Sequence, residues 1–105
     1  MKIKEVQILD KAQDDIEEIL YYIKYKLEEP EISEKYKKLF KSAILSLMEN
    51  AYFYRIVKFK SIHDYEIREM DVKNFMVFYT INLDIVQVIA VLYRKSNWPR
   101  KLKGR

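Results

Sequence analysis

The first third of the chain has the residue pattern of an amphipathic helix. Apolar residues recur there at spacings of three and four, which places them on one helical face. These residues are Ala12, Ile16, Ile19, Leu20, Ile23 and Leu27. Asp10 can cap the helix by accepting from free backbone N–H groups of the first turn. Pro30 ends it, because the residue before a proline avoids helical geometry.

A second apolar stripe predicts another helix, over about residues 31–49. Its members are Ile32, Tyr36, Leu39, Phe40, Ala43, Ile44, Leu47 and Met48. Because the connection around Pro30 is short, the two helices should form an antiparallel hairpin.

Strands are predicted before and after this hairpin. A short, partly apolar stretch over 2–9 precedes it, and three stretches rich in aromatic and β-branched residues follow, at 65–72, 75–81 and 85–93. Turn residues separate those three and predict an antiparallel meander. The predicted fold class is therefore α+β: an N-terminal strand and an antiparallel helical hairpin packed on a small antiparallel sheet, in the order β-α-α-β-β-β.

The length and amino-acid composition exclude several classes of protein. A length of 105 residues predicts a single domain over 1–105, with a basic tail at about 99–105 whose order the sequence leaves open. The absence of cysteine excludes disulfides and thiol chemistry, and a single glycine, Gly104, excludes glycine-rich phosphate loops. No apolar run approaches the ~18 residues of a membrane span, so we expect a cytoplasmic protein with no membrane partner.

Charge is divided unevenly along the chain. Residues 1–34 carry 5 basic and 10 acidic side chains, a net of −5, whereas residues 35–105 carry 15 and 6, a net of +9. The last twelve residues hold six positive charges and no negative one. This polarity indicates an anionic partner, with nucleic acid the leading candidate, although a merely solvated basic tail fits as well.

The residues suited to acid–base or metal chemistry are few. His63, the one histidine, has the sequence setting of a solvated loop residue, and no cluster has metal-ligand spacing, so we expect neither metal nor cofactor. An acidic cluster at residues 14–18 is explained by dipole pairing at the start of a helix. Glu66 and Glu69 are carboxylates of the predicted strand that carries Arg68, and the sequence does not fix which way they face, which leaves the general base undecided.

The remaining candidates for a functional role are cationic and aromatic side chains. Arginine can hold a phosphate bidentately, and tyrosine or tryptophan can stack a splayed base. The candidate catalytic residues are Arg68, Arg94 and Tyr93; the candidate RNA-binding residues are Lys58, Lys60, Lys95 and Trp98. Such groups could stabilise attack of a ribose 2′-hydroxyl on its phosphate without a metal. They fit many other RNA-, DNA- or protein-binding surfaces equally well.

The order of elements and several local phrases resemble the RelE/ParE toxins of bacterial toxin–antitoxin systems. Ala12-Gln-Asp-Asp-Ile-Glu-Glu-Ile-Leu-Tyr-Tyr-Ile is similar to that family's first helix. Ile67-Arg68 followed by Lys73-Asn-Phe-Met-Val-Phe-Tyr resembles its paired central strands, and Val88-Ile-Ala-Val-Leu-Tyr-Arg-Lys resembles its closing strand. The similarity covers about residues 3–98.

The resemblance implies a growth-arresting toxin that a cognate antitoxin neutralises. RelE-like members cut messenger RNA in the ribosomal A site without a metal, whereas ParE-like members poison DNA gyrase. Arg68 and Arg94 match basic positions of the RelE type. Met76, however, stands where a catalytic arginine is expected, and Glu66 where a lysine is expected; Trp98 or Arg100 lies near the usual C-terminal tyrosine without matching it.

Three functions remain open within this resemblance. The predicted function is a ribosome-dependent endoribonuclease, which the positive C-terminal end favours because the ribosome is a polyanion. The missing arginine and the long helical hairpin agree with a gyrase poison. A degenerate, non-toxic module that only binds the antitoxin is the third alternative.

Overall fold

The structure is a computed structural model that describes residues 2–57 and 66–105. Its strands are β1 (Glu5–Ile8), β2 (Arg68–Val72), β3 (Phe75–Asn82) and β4 (Ile85–Tyr93), and its α-helices are α1 (Asp10–Tyr21), α2 (Pro30–Leu45), α3 (Leu47–Asn50) and α4 (Trp98–Lys103). The predicted α+β class, the hairpin and the meander are confirmed. Lys58, Lys60 and His63, and Tyr65 at the start of a predicted strand, lie outside the described residues.

The helical hairpin differs from the prediction at its ends. Leu9, in extended conformation, is the N-cap of α1, so Asp10 lies inside the first turn and makes no capping hydrogen bond. After Tyr21 the helix widens into a π-helical segment, Tyr22–Lys26, and Glu28 then turns the chain with a φ of 54°. Pro30 begins α2. A backbone N–H at this position would have no hydrogen-bond partner within the helix, so proline is tolerated there. The second predicted helix is divided at Ser46 into α2 and α3.

The sheet contains one parallel pair, which the sequence pattern did not predict. Its strand order is β1-β4-β3-β2. β2, β3 and β4 form the antiparallel meander, whereas β1 runs parallel to β4 from Glu5 opposite Ile85 to Ile8 opposite Val88. Parallel neighbours need a crossover connection, and the helical hairpin is that crossover.

The two faces of the sheet carry separate apolar clusters. The face toward the hairpin buries Val77, Tyr79, Val86, Val88 and Val91 of β3 and β4 against residues of α1 and α2 such as Ala12, Ile16, Phe40 and Ile44. The opposite face buries Ile67, Met76, Phe78, Ile89, Ala90, Leu92 and Leu102. Between Phe78 and Tyr79 the register with β4 shifts, so both Ile89 and Ala90 join this second cluster. Helix α4 covers part of it through Leu102, which is 1% exposed.

Replacing Ile44 with aspartate should unfold the protein. Ile44 is 3% exposed in the cluster beneath the hairpin, and an unpaired carboxylate there loses several kcal/mol of solvation. The neighbouring Leu45 is 56% exposed and provides the control. We expect urea denaturation to show no folded Ile44→Asp protein, while Leu45→Asp stays within about 0.5 kcal/mol of the wild type. A cooperative, near-native transition for Ile44→Asp would contradict this assignment of the helix face.

Candidate functional site

Arg68 lies at the first position of β2 and anchors the segment that follows α3. Its Nη1 donates to the carbonyl oxygen of Tyr54 at 2.6 Å and to that of Tyr52 at 3.3 Å. The guanidinium also lies 5.8 Å from the centre of the Tyr52 ring. Nη1 of this arginine is therefore already used by the protein's own backbone.

A shallow, polar cavity surrounds Arg68. Tyr52, Glu66, Leu83 and Asp84 contribute to its wall. The Tyr52 hydroxyl donates to Asp84 Oδ1 at 3.1 Å, and partial desolvation together with this hydrogen bond raises the pKa of Tyr52. Glu66 is exposed and, like Asp84, shares this cavity with Arg68.

Glu69, the other candidate carboxylate, has a different role. It is 8% exposed and forms an ion pair with Arg55. Because side chains alternate along a strand, Glu69 points to the face of β2 opposite to that of Arg68. Met76, at the position where the resemblance leads one to expect an arginine, is 4% exposed within the second apolar cluster and has no group that transfers a proton.

Tyr93 and Arg94 lie together at the end of β4. The Tyr93 ring packs edge-on against Phe75, with centroids 5.6 Å apart, and the tyrosine is 42% exposed. Arg94 donates to the Lys73 carbonyl oxygen at 3.0 Å and to Asp71 Oδ2 at 3.4 Å. These contacts fix the turn between β2 and β3 to the end of β4.

The structure does not bring Arg68 and Arg94 together. Arg68 pairs with Tyr79, whereas Arg94 follows Tyr93, which pairs with Phe75. Tyr79 and Phe75 are four residues apart on β3, or about 13 Å at about 3.3 Å per residue. Arg94 also contacts Asp71, whose side chain points to the face of β2 opposite to that of Arg68.

Lys95 and Trp98 lie between β4 and the end of the chain. Lys95 is exposed, and the Trp98 ring packs on Phe78 with centroids 5.2 Å apart. Trp98 thus forms part of the second apolar cluster rather than a free stacking platform. The roles predicted for Lys95 and Trp98, and for the undescribed Lys58 and Lys60, stay predictions.

An ion pair that the sequence analysis missed joins Asp15 to Arg105. Arg105 Nη2 donates to Asp15 Oδ1 at 2.7 Å, and Nη1 donates to Asp15 Oδ2 and to the Ile89 carbonyl oxygen, both at 2.8 Å. The Val91 N–H donates to the same Oδ2 at 2.9 Å. The hydrogen bond to Asp15 raises the pKa of Arg105.

The sequence analysis explained Asp15, as part of an acidic cluster, by pairing with the helix dipole. The structure instead shows Asp15 in an ion pair with Arg105. Asp15 follows Ala12 by three residues and precedes Ile16, so it lies at the border of the apolar stripe, and that position is the one local signal of its burial. The partner, 90 residues along the chain, has no local signal. Asp15 and Arg105 side chains are 12% and 16% exposed, and they hold the C-terminal end against α1 and β4.

Two further findings concern the described part of the chain. The described residues include no histidine or cysteine, and their carboxylates form no group that could hold a metal ion. None of the helices within residues 2–57 and 66–105 has the length and apolar composition required to cross a bilayer.

The Asp15–Arg105 pair should contribute measurably to stability. A double-mutant cycle with Asp15→Asn and Arg105→Gln is expected to give a coupling energy of about 1–3 kcal/mol, because the pair is largely buried and bidentate. The Asp71–Arg94 pair, whose side chains are 47% and 45% exposed, serves as the control and should couple by less than about 1 kcal/mol. Equal coupling energies, read from urea denaturation, would refute the structural role of Asp15.

Comparison with known proteins identifies the family. The family model for the ParE toxin of the type II toxin–antitoxin system parDE matches residues 6–98. Among solved structures, the fold is similar to a chain of the chromosomal ParDE toxin–antitoxin system from P. aeruginosa, with a TM-score of 0.68, 15% identity, and coverage of 85% of this chain and 94% of that chain. Comparison with curated proteins gives no match. The chain is therefore a member of the ParE toxin family of type II toxin–antitoxin systems.

Proposed function

We propose that this toxin arrests growth by poisoning DNA gyrase and that a cognate antitoxin neutralises it. Membership of the ParE family supports the antitoxin partner and directs attention to the ParE-like division of the resemblance. That division acts on gyrase, whereas RelE-like toxins act on messenger RNA.

The separation of Arg68 from Arg94 is the observation that carries this proposal. Metal-free RNA cleavage requires cationic and proton-transferring groups to converge on one phosphate. Here the two arginines are separated by about 13 Å along β3, Arg94 contacts Asp71 on the face of β2 opposite to that of Arg68, and each arginine is held by carbonyl or carboxylate oxygens of the protein itself. The buried Met76 adds no proton-transfer group between them. Such an arrangement suits a protein-binding toxin better than a ribonuclease.

A ribosome-dependent endoribonuclease remains the second candidate. It is favoured by the positive charge at the end of β4 and on α4, which suits a ribosomal target. The catalytic assignment of Arg68, Arg94 and Tyr93 and the RNA-binding assignment of Lys58, Lys60, Lys95 and Trp98 belong to this candidate.

Two assays on the purified toxin separate the candidates. In a supercoiling assay with DNA gyrase, we expect inhibition and an accumulation of cleaved DNA that added antitoxin reverses. In a cell-free translation extract, primer extension should show messenger RNA with unchanged 5′ ends. New 5′ ends that appear only on translated message, with normal supercoiling, would replace the gyrase proposal by the ribonuclease. Normal growth after expression without antitoxin would indicate the degenerate module.

Substitution of Arg94 tests the ribonuclease separately. If Arg94 stabilises the charge on a phosphate, Arg94→Ala should lower RNA cleavage about 100-fold or more. Its side chain is 45% exposed, so the unfolding midpoint should change little. Lys4→Ala, which removes an equal charge from an exposed residue beside the β3–β4 turn at the other end of the sheet, is the control. Undiminished toxicity of a folded Arg94→Ala protein would remove Arg94 from any catalytic role.

A further inference from the structure

The C-terminal basic residues are held in a fixed position on the fold. Helix α4 is attached at three points: Leu102 is 1% exposed in the second apolar cluster, Trp98 packs on Phe78, and Arg105 binds Asp15 and the Ile89 carbonyl oxygen. A short helix of six residues is not stable by itself, so these contacts are what keep it formed.

The exposed side of α4 is entirely cationic. Leu102 is buried and Trp98 and Pro99 are half-buried, whereas Arg100, Lys101 and Lys103 are exposed. Lys95, in the preceding turn, is exposed as well. We use the name basic C-terminal surface for these four residues: Lys95, Arg100, Lys101 and Lys103.

The four cations of this surface form no ion pair within the described part of the chain. The chain has no acidic residue after Asp84. The two C-terminal arginines that do form ion pairs, Arg94 with Asp71 and Arg105 with Asp15, are outside this surface. The ion pairs within residues 2–57 and 66–105 include none of the four cations. Like charges at such short spacing repel each other, and an anionic partner relieves that repulsion.

We infer that the basic C-terminal surface binds the phosphate backbone of duplex DNA. This inference deepens the proposed function and rests on it for the choice of DNA, because a gyrase poison works next to the duplex that gyrase holds. Four cations on a fixed helix and turn can follow a backbone that carries one charge per about 1.7 Å of duplex axis. The inferred contacts go to phosphates, which carry no sequence information, so we expect the binding to be independent of sequence.

The test measures binding of the purified toxin to a short, mixed-sequence DNA duplex by fluorescence anisotropy, between about 50 and 200 mM KCl. Release of about four counterions predicts a slope of log affinity against log salt of about −3 to −4. The double variant Arg100→Gln/Lys103→Gln should reduce the steepness of that slope by about 2 and weaken binding about tenfold or more at the lowest salt.

A matched control removes the same charge from another surface. Lys37 and Lys41 are exposed on α2, which packs on the sheet face opposite to that of α4. Lys37→Gln/Lys41→Gln should leave the slope within about 0.5 of the wild type, because these lysines contact no phosphate. Circular dichroism should show both double variants to be folded, since every substituted side chain is exposed.

Three results would overturn the inference: no salt-dependent binding by the wild type, equal losses in the two double variants, or tighter binding to single-stranded RNA than to the duplex. Because gyrase is absent from this assay, its outcome is independent of the supercoiling result. Intact DNA binding without gyrase inhibition would reject the proposed target and retain the surface. If the toxin does not bind DNA and both double variants still inhibit gyrase, the DNA-binding surface would be rejected and the gyrase target retained.

Discussion

The parallel pairing of β1 with β4 is the constraint on which the rest of the structure depends. Two neighbouring strands that run in the same direction cannot be joined by a tight turn, so the intervening chain must cross the sheet. Here the crossover is the helical hairpin, and it packs on one face. The opposite face keeps a second apolar cluster, which the far end of the chain partly covers with α4. The hairpin layer therefore follows from the position of one four-residue strand.

Local sequence patterns predicted the helices and strands, but they did not predict which of these elements lie side by side. The apolar stripes through Ile16 and Ile44 predicted the correct helical faces because periodicity is a local property. The parallel direction of β1 was not predictable, since nothing within residues 2–9 encodes which strand becomes the partner. The capping role of Asp10 failed for a similar reason: Leu9 is tied to the Val88 carbonyl oxygen of β4, and that tertiary contact sets where the helix begins.

Sequence reasoning named candidate site residues and could not give their geometry. It identified cations on the predicted strands and after the last of them, because charge and strand position are visible along the chain. It could not show that Arg68 and Arg94 are separated, since their distance depends on the register of β2, β3 and β4. Nor could it assign the basic C-terminal end to a packed helix, because the contacts that hold this end come from Phe78 and Asp15.

The Asp15–Arg105 pair also occupies part of the edge of β4. β1 pairs with β4 only as far as Val88, and beyond that residue the edge of β4 is uncovered by any strand within the described residues. A bare strand edge is a template for pairing with other chains. Asp15 accepts the Val91 N–H and Arg105 donates to the Ile89 carbonyl oxygen, so two side chains occupy hydrogen-bonding positions that a foreign strand would use. A helix residue and a residue 90 positions away thus close the sheet without adding a fifth strand.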